Sequence, residues 1–349
     1  MKLHKLLCLV LALCLVLCAC GKKDEPEATP EEKEEEISYD IVNPLTGEVL
    51  EEDISENRPF AFVINNLKAA TPQCGISKAD IIYEVPVEGG ITRMVAIFQD
   101  ISDAGAIGSI RSARPYLIDI ALAYDSVFIH AGGSDQAYTD LKNKGVLNFD
   151  GVNGWRGTDI FYRDAERRQT AGYEHSLFTS SNLIEEIIYP MDDIRLTHED
   201  GYKFDQTYET DLDLQGEAAN SIIAQITSSK STSFEYDAES QTYKIFEYDK
   251  EYTDGNTDQQ VSAKNVIFIS TDISRVSGDS AGRLSVRTTG EGTGYFAYNG
   301  EIIPIKWSRD SYSEQFEYFT QDGSPLALGR GNTYVCVMYS DDDVSYSAE

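Results

Sequence analysis

Two arginines, Arg111 and Arg114, stand three positions apart in the stretch Ile-Gly-Ser-Ile-Arg-Ser-Ala-Arg-Pro. Pro115 suits the first turn of a helix, because its missing N–H would have no partner there, so both arginines precede a predicted helix start. That helix end carries unpaired N–H groups and partial positive charge, which makes two further cations unfavourable unless negative charge shares the place. We therefore expect either an anion from outside the chain or internal Asp and Glu side chains as partners.

A glycine turn follows the predicted strand that ends at His130, in the order Ala-Gly-Gly-Ser. The N–H groups of such a turn and the Ser134 hydroxyl could hold a ligand. Alternatively, Ser134 caps the helix that follows, and the glycines only form the turn. The candidate ligand-binding residues are Arg93, Arg111, Ser112, Arg114, His130, Gly132, Gly133, Ser134, Arg168 and His175.

Three acidic residues lie near the ends of predicted strands, and each could form an acid/base pair with His130: Asp80, Glu84 and Glu88. A serine-hydrolase interpretation of Ser134 is not supported, because the chain has no Gly-x-Ser-x-Gly motif. No His-Glu-x-x-His motif occurs, and the acidic run that starts at Asp254 lacks the glycine and glutamate of a calcium loop. We expect no metal and no cofactor.

The first residues have the features of a secretory signal that ends in a lipobox. Two lysines precede an apolar run, and Leu-Cys-Ala-Cys then ends at Cys20, which predicts a signal peptide at 1–19 and a lipid on Cys20. The alternative is an uncleaved membrane anchor; in both cases the lipid membrane is a partner and the body lies outside the cytoplasm. Of the six cysteines, Cys74 and Cys336 belong to the body, and we expect two separate thiols.

The chain is strongly acidic, with 29 Lys and Arg against 59 Asp and Glu. Removal of residues 1–19 takes away two lysines and no acid, so the mature formal charge is 27 − 59 = −32. A surface of this charge repels polyphosphate at long range. Nucleic acid is therefore excluded as a partner, and any anion site must be local.

The pattern of apolar residues predicts an α/β amino-terminal domain, a mixed sheet with helices, followed by a mostly β carboxyl-terminal domain. Residues 20–56 are predicted to form an acidic, disordered tether, and the two domains to span 57–205 and 217–340. In the first domain we predict strands at 59–67, 79–87, 92–98 and 126–131 and helices at 115–124, 136–144 and 181–188. In the second we predict a helix at 218–226 and strands at 233–236, 242–248, 265–271, 283–288, 294–299, 301–307, 316–320 and 333–339.

Ordered motifs along the body resemble those of the YerB-like bacterial lipoproteins. In the first half they are Asn65-Asn66, Pro72-Gln73-Cys74-Gly75, Glu88-Gly89-Gly90, residues 107–114 and His130-Ala131-Gly132-Gly133-Ser134; in the second, Gly294-Tyr295-Phe296, Trp307 and Gly331-Asn332-Thr333. The resemblance implies an amino-terminal and a carboxyl-terminal domain of unassigned biochemical role. The chain departs from the family where Pro-His-Asn is expected, because it has Glu174-His175-Ser176.

Three classes of function remain. A non-catalytic envelope-binding or assembly lipoprotein with a local anion site leads, because the sequence offers a tether, two domains and no complete catalytic signature. Its ligand would be a glycan or phosphate-containing molecule of the envelope, or an envelope protein. The second class is an envelope enzyme acting on phosphorylated or glycan substrates, similar in style to the LytR-CpsA-Psr transferases, in which Arg111, Arg114, Arg168 and His130 converge. The third is a solute-capturing lipoprotein with a cavity between the domains.

Overall fold

A computed structural model describes residues 40–349. The first half contains the strands β1 Phe60–Asn65, β2 Ile81–Pro86, β3 Thr92–Phe98, β4 Ala106–Gly108, β5 Val127–His130, β6 Asn148–Asp150, β7 Tyr162–Arg163 and β8 Leu177–Ser180. Its α-helices are α1 Pro115–Ala123, α2 Asp135–Asn143, α3 Ala165–Thr170 and α4 Ser181–Ile187.

The second half is built of strands. They are β9 Tyr208–Glu209, β10 Glu217–Ala218, β11 Ser221–Thr227, β12 Lys230–Asp237, β13 Thr242–Glu247, β14 Lys250–Glu251, β15 Ser262–Ala263, β16 Asn265–Ser270, β17 Ile273–Arg275, β18 Leu284–Val286, β19 Gly290–Tyr298, β20 Glu301–Arg309, β21 Glu317–Thr320, β22 Leu328–Gly329, β23 Thr333–Met338 and β24 Val344–Ser347. This contrast between the halves confirms the predicted fold class.

One sheet of 11 strands runs through both halves, in the order β10-β20-β19-β16-β23-β2-β3-β1-β5-β6, with β21 paired to β20. The two halves meet where β2 pairs in parallel with β23, from Ile81 opposite Thr333 to Glu84 opposite Cys336. The pairings give β16, β23, β2, β1, β5 and β6 one common direction. Their carboxyl ends therefore share one edge of the sheet, which we call the carboxyl edge, and their starts share the amino edge.

Alternate side chains of the sheet enter two apolar cores, one on each face. On one face, β1 contributes Phe60 and Phe62, which pack with Ile184 of α4 and with the second sheet, β14-β13-β12-β11-β24 with β15. On the other face, Val63 packs with α1 and with Trp307 of β20. The sheet is thus covered on both sides, and functional side chains can reach solvent mainly at its edges.

The predicted helices of the first half are confirmed, with Pro115 in the first turn of α1. Ser134 caps α2, since its Oγ accepts a hydrogen bond from the Ala137 N–H at 3.1 Å. Cys74 and Cys336 are free thiols, as expected, and Cys336 is fully buried in β23. The predicted helix at 218–226 is wrong, because the segment forms β11. Ile222, Ala224 and Ile226 are buried while the residues between them are exposed, which is the period of a strand.

The ordered body also starts earlier than residue 57. Leu45 is 1% exposed and packs in the core of the α1 face, and the Asn43 side-chain amide donates to Asp80 at 2.9 Å. The stretch that begins at Asp40 contains apolar residues that can be buried, unlike the acidic run before it, so residues 40–56 fold onto the sheet. The predicted signal peptide, Cys20 and the first part of the tether lie outside the described residues.

Candidate functional site

The carboxyl edge gathers most of the residues that the sequence singled out. Glu84 lies in the second half of β2, Arg93 lies near the start of the antiparallel β3, and His130 is the last residue of β5. The segment 107–114 crosses this edge, since the Arg111 N–H donates to the Val63 carbonyl of β1 at 2.8 Å and the Ala131 N–H donates to the Arg111 carbonyl. In open α/β sheets this edge is where ligands bind.

Glu88 holds two of the arginines. Arg114 donates through Nε to Glu88 Oε2 at 3.1 Å and pairs through Nη2 with Oε1, while Nη2 of Arg93 lies 3.6 Å from the same Oε1. Arg93 also donates to the Ser112 carbonyl at 2.6 Å. Of the two partners left open by the sequence, an internal carboxylate is therefore the partner of Arg114.

The electrostatics of this group follow from burial. Arg93 and Arg114 are 5% and 6% exposed. Burial, helped by the charge of Arg114, lowers the pKa of Arg93 to about 9. Burial acts to raise the pKa of Glu88, but the hydrogen bond from Arg114 and the two positive charges outweigh it, and the pKa falls below its usual value.

Arg111 has a different kind of partner. Its Nη1 lies 3.0 Å from Oε2 of Glu174, whose side chain is 63% exposed, whereas that of Arg111 is 19% exposed. We call Arg93, Arg111, Arg114, Glu88 and Glu174 the arginine cluster. It contains three cations and two carboxylates, so it carries one net positive charge in a chain whose formal charge is −30.

His175 borders the arginine cluster. It is buried, and its Nδ1 faces the side-chain amide of Asn65 at 2.8 Å, which places the proton of the neutral ring on Nε2. Burial and then the charge of Arg111 lower the pKa of His175. Among residues 40–349, the one side-chain hydrogen bond of His175 is made by Nδ1, so a neutral His175 keeps its Nε2–H donor free beside Arg111.

His130 and the glycine turn are occupied by protein partners. Nδ1 of His130 faces the Gly132 carbonyl at 2.8 Å, and Nε2 faces Oδ1 of Asn148 at 3.1 Å. The Gly132 N–H donates to Asp150 at 2.6 Å. Gly133 forms a parallel β-bridge with Ala113, and Ser134 is the cap of α2. Within the described part of the chain, His130 makes no hydrogen bond or ion pair with Asp80, Glu84 or Glu88, so the expected acid/base pair does not form.

Two other candidates, Asp80 and Arg168, make no hydrogen bond or ion pair with the arginine cluster among residues 40–349. Asp80 sits at the amino edge, where its carboxylate accepts from Asn43 and from the Gln99 N–H at 2.6 Å. Arg168 is exposed on α3, with its guanidinium 5.4 Å from the ring of Tyr173. Among residues 40–349, no hydrogen bond or ion pair joins the side chains of Arg168 and His130 to the arginine cluster, as direct convergence in an envelope enzyme would require.

A fully buried ion network lies between the main sheet and the second sheet, and the sequence did not predict it. Lys230 of β12 pairs with Glu84 of β2 at 3.3 Å and with Glu247 of β13, and all three side chains are at most 2% exposed. Glu84 also accepts hydrogen bonds from Asn66, Thr92, Thr232 and Tyr334. Alternate burial along β13 placed Glu247 on the inner face, but no sequence signal pointed to Lys230.

The two carboxylates of the network differ in the direction of their pKa shifts. Burial acts to raise the pKa of Glu84, but Lys230 and the hydrogen bonds outweigh it, and the pKa is lowered. Burial and the charge of Glu84 raise the pKa of Glu247 to about 7. Two carboxylates thus share one cation, and Glu247 takes up a proton far more readily than an exposed glutamate does.

An open cavity of about 530 Å³ lies at the starts of α1 and α2 and is bordered by the β17–β18 hairpin. Arg114 and Arg283 line it, together with three carboxylates, those of Asp119, Asp135 and Asp279. Because carboxylates outnumber cations, this cavity is less suited to an anion than the arginine cluster is. Among residues 40–349, no group of His, Cys, Asp and Glu side chains is placed to hold a metal ion, and no helix is both long and apolar enough to cross a membrane.

Comparison with known proteins gives a consistent family assignment. The family described as "Protein of unknown function (DUF3048)" matches with its N-terminal domain at residues 45–192 and with its C-terminal domain at 222–335. The chain is 28% identical over 364 residues to "Putative lipoprotein YerB" of Bacillus subtilis (strain 168), covering 97% of each protein. The crystal structure of YerB from Bacillus subtilis superposes with a TM-score of 0.75 at 26% identity, covering 88% of this chain and 99% of that one.

Proposed function

Since the chain belongs to the YerB-like DUF3048 family, we propose that it is a lipid-anchored, non-catalytic binding or assembly factor of the bacterial cell envelope. The lipobox at Cys20 and the lipoprotein name of its relative support attachment to the extracytoplasmic face of the cell membrane. The ligand is an envelope component that carries phosphate or another acidic group, and Arg111 binds that group.

The state of three acid/base candidates, His130, Glu84 and Glu88, supports a non-catalytic role. A general base needs a free lone pair within reach of a substrate proton. His130 directs both ring nitrogens at oxygen atoms of the chain, Glu88 is neutralised by two arginines, and Glu84 is buried among four hydrogen-bond donors and Lys230.

The single observation that carries the anion site is the weak pairing of Arg111. Its partner, Glu174, is largely exposed, and an exposed ion pair contributes at most about 1 kcal/mol. An incoming phosphate or carboxylate replaces Glu174 at little cost and gains the free N–H of His175. The net positive charge of the arginine cluster favours that exchange, and the acidic surface elsewhere restricts it to this place.

Thermal unfolding of the full-length chain in detergent, with and without pyrophosphate, tests the anion site. Pyrophosphate should raise the Tm of the parent, and Arg111→Gln should remove that shift with little change in the ligand-free Tm, because its ion pair is exposed. Glu174→Gln should strengthen binding, since it removes the competing carboxylate.

Arg287→Gln is the matched control, because Arg287 also pairs with an exposed carboxylate, Asp272, whose side chain is 86% exposed. It should keep the full pyrophosphate shift. A parent protein that shows no shift, or a shift that survives Arg111→Gln, contradicts the proposed site.

A further inference from the structure

A polar cleft of about 660 Å³ opens at the amino edge, on the opposite side of the sheet from the arginine cluster. Both halves of the chain form it, because Asp80 precedes β2 while Lys264 precedes β16 and Arg330 precedes β23. The volume lies within the range of small-ligand sites. Its charged lining residues are Glu48, Lys78, Asp80, Lys264 and Arg330, and the remaining lining residues are small or neutral and polar.

Arg330 differs from the other partly or fully buried arginines of residues 40–349. Each of the others contacts a carboxylate or a backbone carbonyl, whereas the Arg330 side chain has no such partner and its Nε is buried without a hydrogen bond. Because the half-buried Arg330 guanidinium lines the cleft without a carboxylate or carbonyl partner, its donors remain available to an acceptor from outside the chain. For a guanidinium, the best-fitting partner is an oxyanion.

Two lysines add positive charge to the lining of the cleft beside Arg330. Lys78 is exposed and has no ion pair among the described residues, and Lys264 donates to the Gln241 carbonyl at 3.0 Å rather than to a carboxylate. Gly331, the neighbour of Arg330 in the chain, packs against Lys264, since a Cβ at Gly331 would lie 2.6 Å from the Lys264 Cβ. Against these three cations, the cleft has two acidic residues, and Asp80 already accepts hydrogen bonds from Asn43 and Gln99.

The rest of the lining suits hydroxyl groups. Nine of the sixteen lining residues carry a neutral hydroxyl or amide side chain, and no aromatic or large aliphatic residue takes part. Such groups both donate and accept hydrogen bonds, as the hydroxyls of a sugar do. An apolar ligand would leave these groups without partners, which is costly.

We propose that the amino-edge cleft binds an anionic saccharide, with its phosphate or carboxylate on Arg330 and its hydroxyls on the Ser, Thr and Gln side chains. This site is separate from the arginine cluster, so either can exist without the other.

Isothermal titration of the full-length chain in detergent tests the cleft with four probes: glucose 1-phosphate, glucuronic acid, glucose and inorganic phosphate. A charged sugar should bind more tightly than glucose or phosphate alone, and comparison of the first two identifies the acidic group. Arg330→Gln should raise the Kd of the charged sugar about tenfold, the loss of one charge-assisted pair.

Three further variants complete the test. Lys78→Gln should also raise the Kd, and because Lys78 is exposed, this variant retains the fold even if Arg330→Gln does not. Arg275→Gln, at an exposed arginine outside the cleft, and Arg111→Gln should leave the Kd unchanged. Absence of saturable binding to the parent, equal binding of phosphate alone, or a Kd unaffected by both Arg330→Gln and Lys78→Gln overturns the proposal.

Discussion

Glu88 and Glu174 accept the same kind of partner but differ in their surroundings. Glu88 is mostly buried between two buried arginines, and Glu174 is mostly in water beside Arg111. Removing one partner of a buried ion pair leaves the other charge uncompensated, while an exposed partner is replaced by solvent. The same substitution therefore has different consequences at the two positions.

We predict that Glu88→Gln lowers the free energy of unfolding by roughly 3 kcal/mol, because it leaves Arg93 and Arg114 buried without a carboxylate. Glu174→Gln should lower it by less than about 1 kcal/mol. Urea denaturation of both variants at neutral pH measures the difference. Equal effects at the two positions would show that Glu88 does not hold the cluster together.

At the scale of elements, the ion network of Glu84, Lys230 and Glu247 joins the two sheets. β2 of the main sheet supplies Glu84, and β12 and β13 of the second sheet supply the other two residues. Tyr334 of β23 donates to Glu84 at 2.7 Å, so the strand that connects the halves takes part as well. The interface between the sheets is therefore sensitive to protonation.

Glu247 gives this interface a pH dependence. Its pKa in the folded protein is raised to about 7, so the folded state binds a proton more tightly than the unfolded chain. The resulting stability is present below the ordinary glutamate pKa and is lost as pH rises through about 7. We predict that the free energy of unfolding of the parent falls between about pH 5 and about pH 8. Glu247→Gln should reduce this fall by roughly 1 to 3 kcal/mol.

Urea denaturation of both proteins at the two pH values measures the effect. Part of the loss should remain in the variant, because burial also raises the pKa of Asp80 to about 7. Glu84 titrates below this window, since its pKa is lowered. A parent whose stability rises from pH 5 to pH 8, or a variant with the same pH profile, would show that Glu247 is ionised at both values.

On the scale of the whole molecule, the family domains match two separate segments, yet the strands of both segments share one sheet. The connection between them, residues 205–216, is mostly exposed. The parallel pairing of β2 with β23 and the buried ion network both cross from one half to the other. The boundary that we propose at this connection therefore separates two sequence domains, but the two halves pack together as one body.

We predict that limited proteolysis cuts within residues 205–216 without separating the halves, because sheet hydrogen bonds and buried charge still hold them together. Size-exclusion chromatography of the cut protein under native conditions should give one peak, and denaturing electrophoresis two fragments. Two native peaks would mean that each half folds independently, as two freely separable domains do.

Local chemistry determined much of the secondary structure. Pro115 starts α1 and Ser134 caps α2, because the constraint on φ in proline and the reach of a serine hydroxyl act within one turn. Segment 218–226 was the exception, since Ile-Ile-Ala-Gln-Ile fits a helix and a strand, and packing against β12 and β24 decided for the strand.

The partners of the charged residues were decided only by the tertiary structure. The sequence indicated that Arg111 and Arg114 need negative charge nearby, but their carboxylates belong to other elements, and Arg114 meets Glu88 across 26 positions of the chain. Lys230 and Arg330 gave no local signal at all. Which of 59 acidic residues meets a given cation depends on strand order and register, and these arise from contacts between distant parts of the chain that the spacing of residues does not encode.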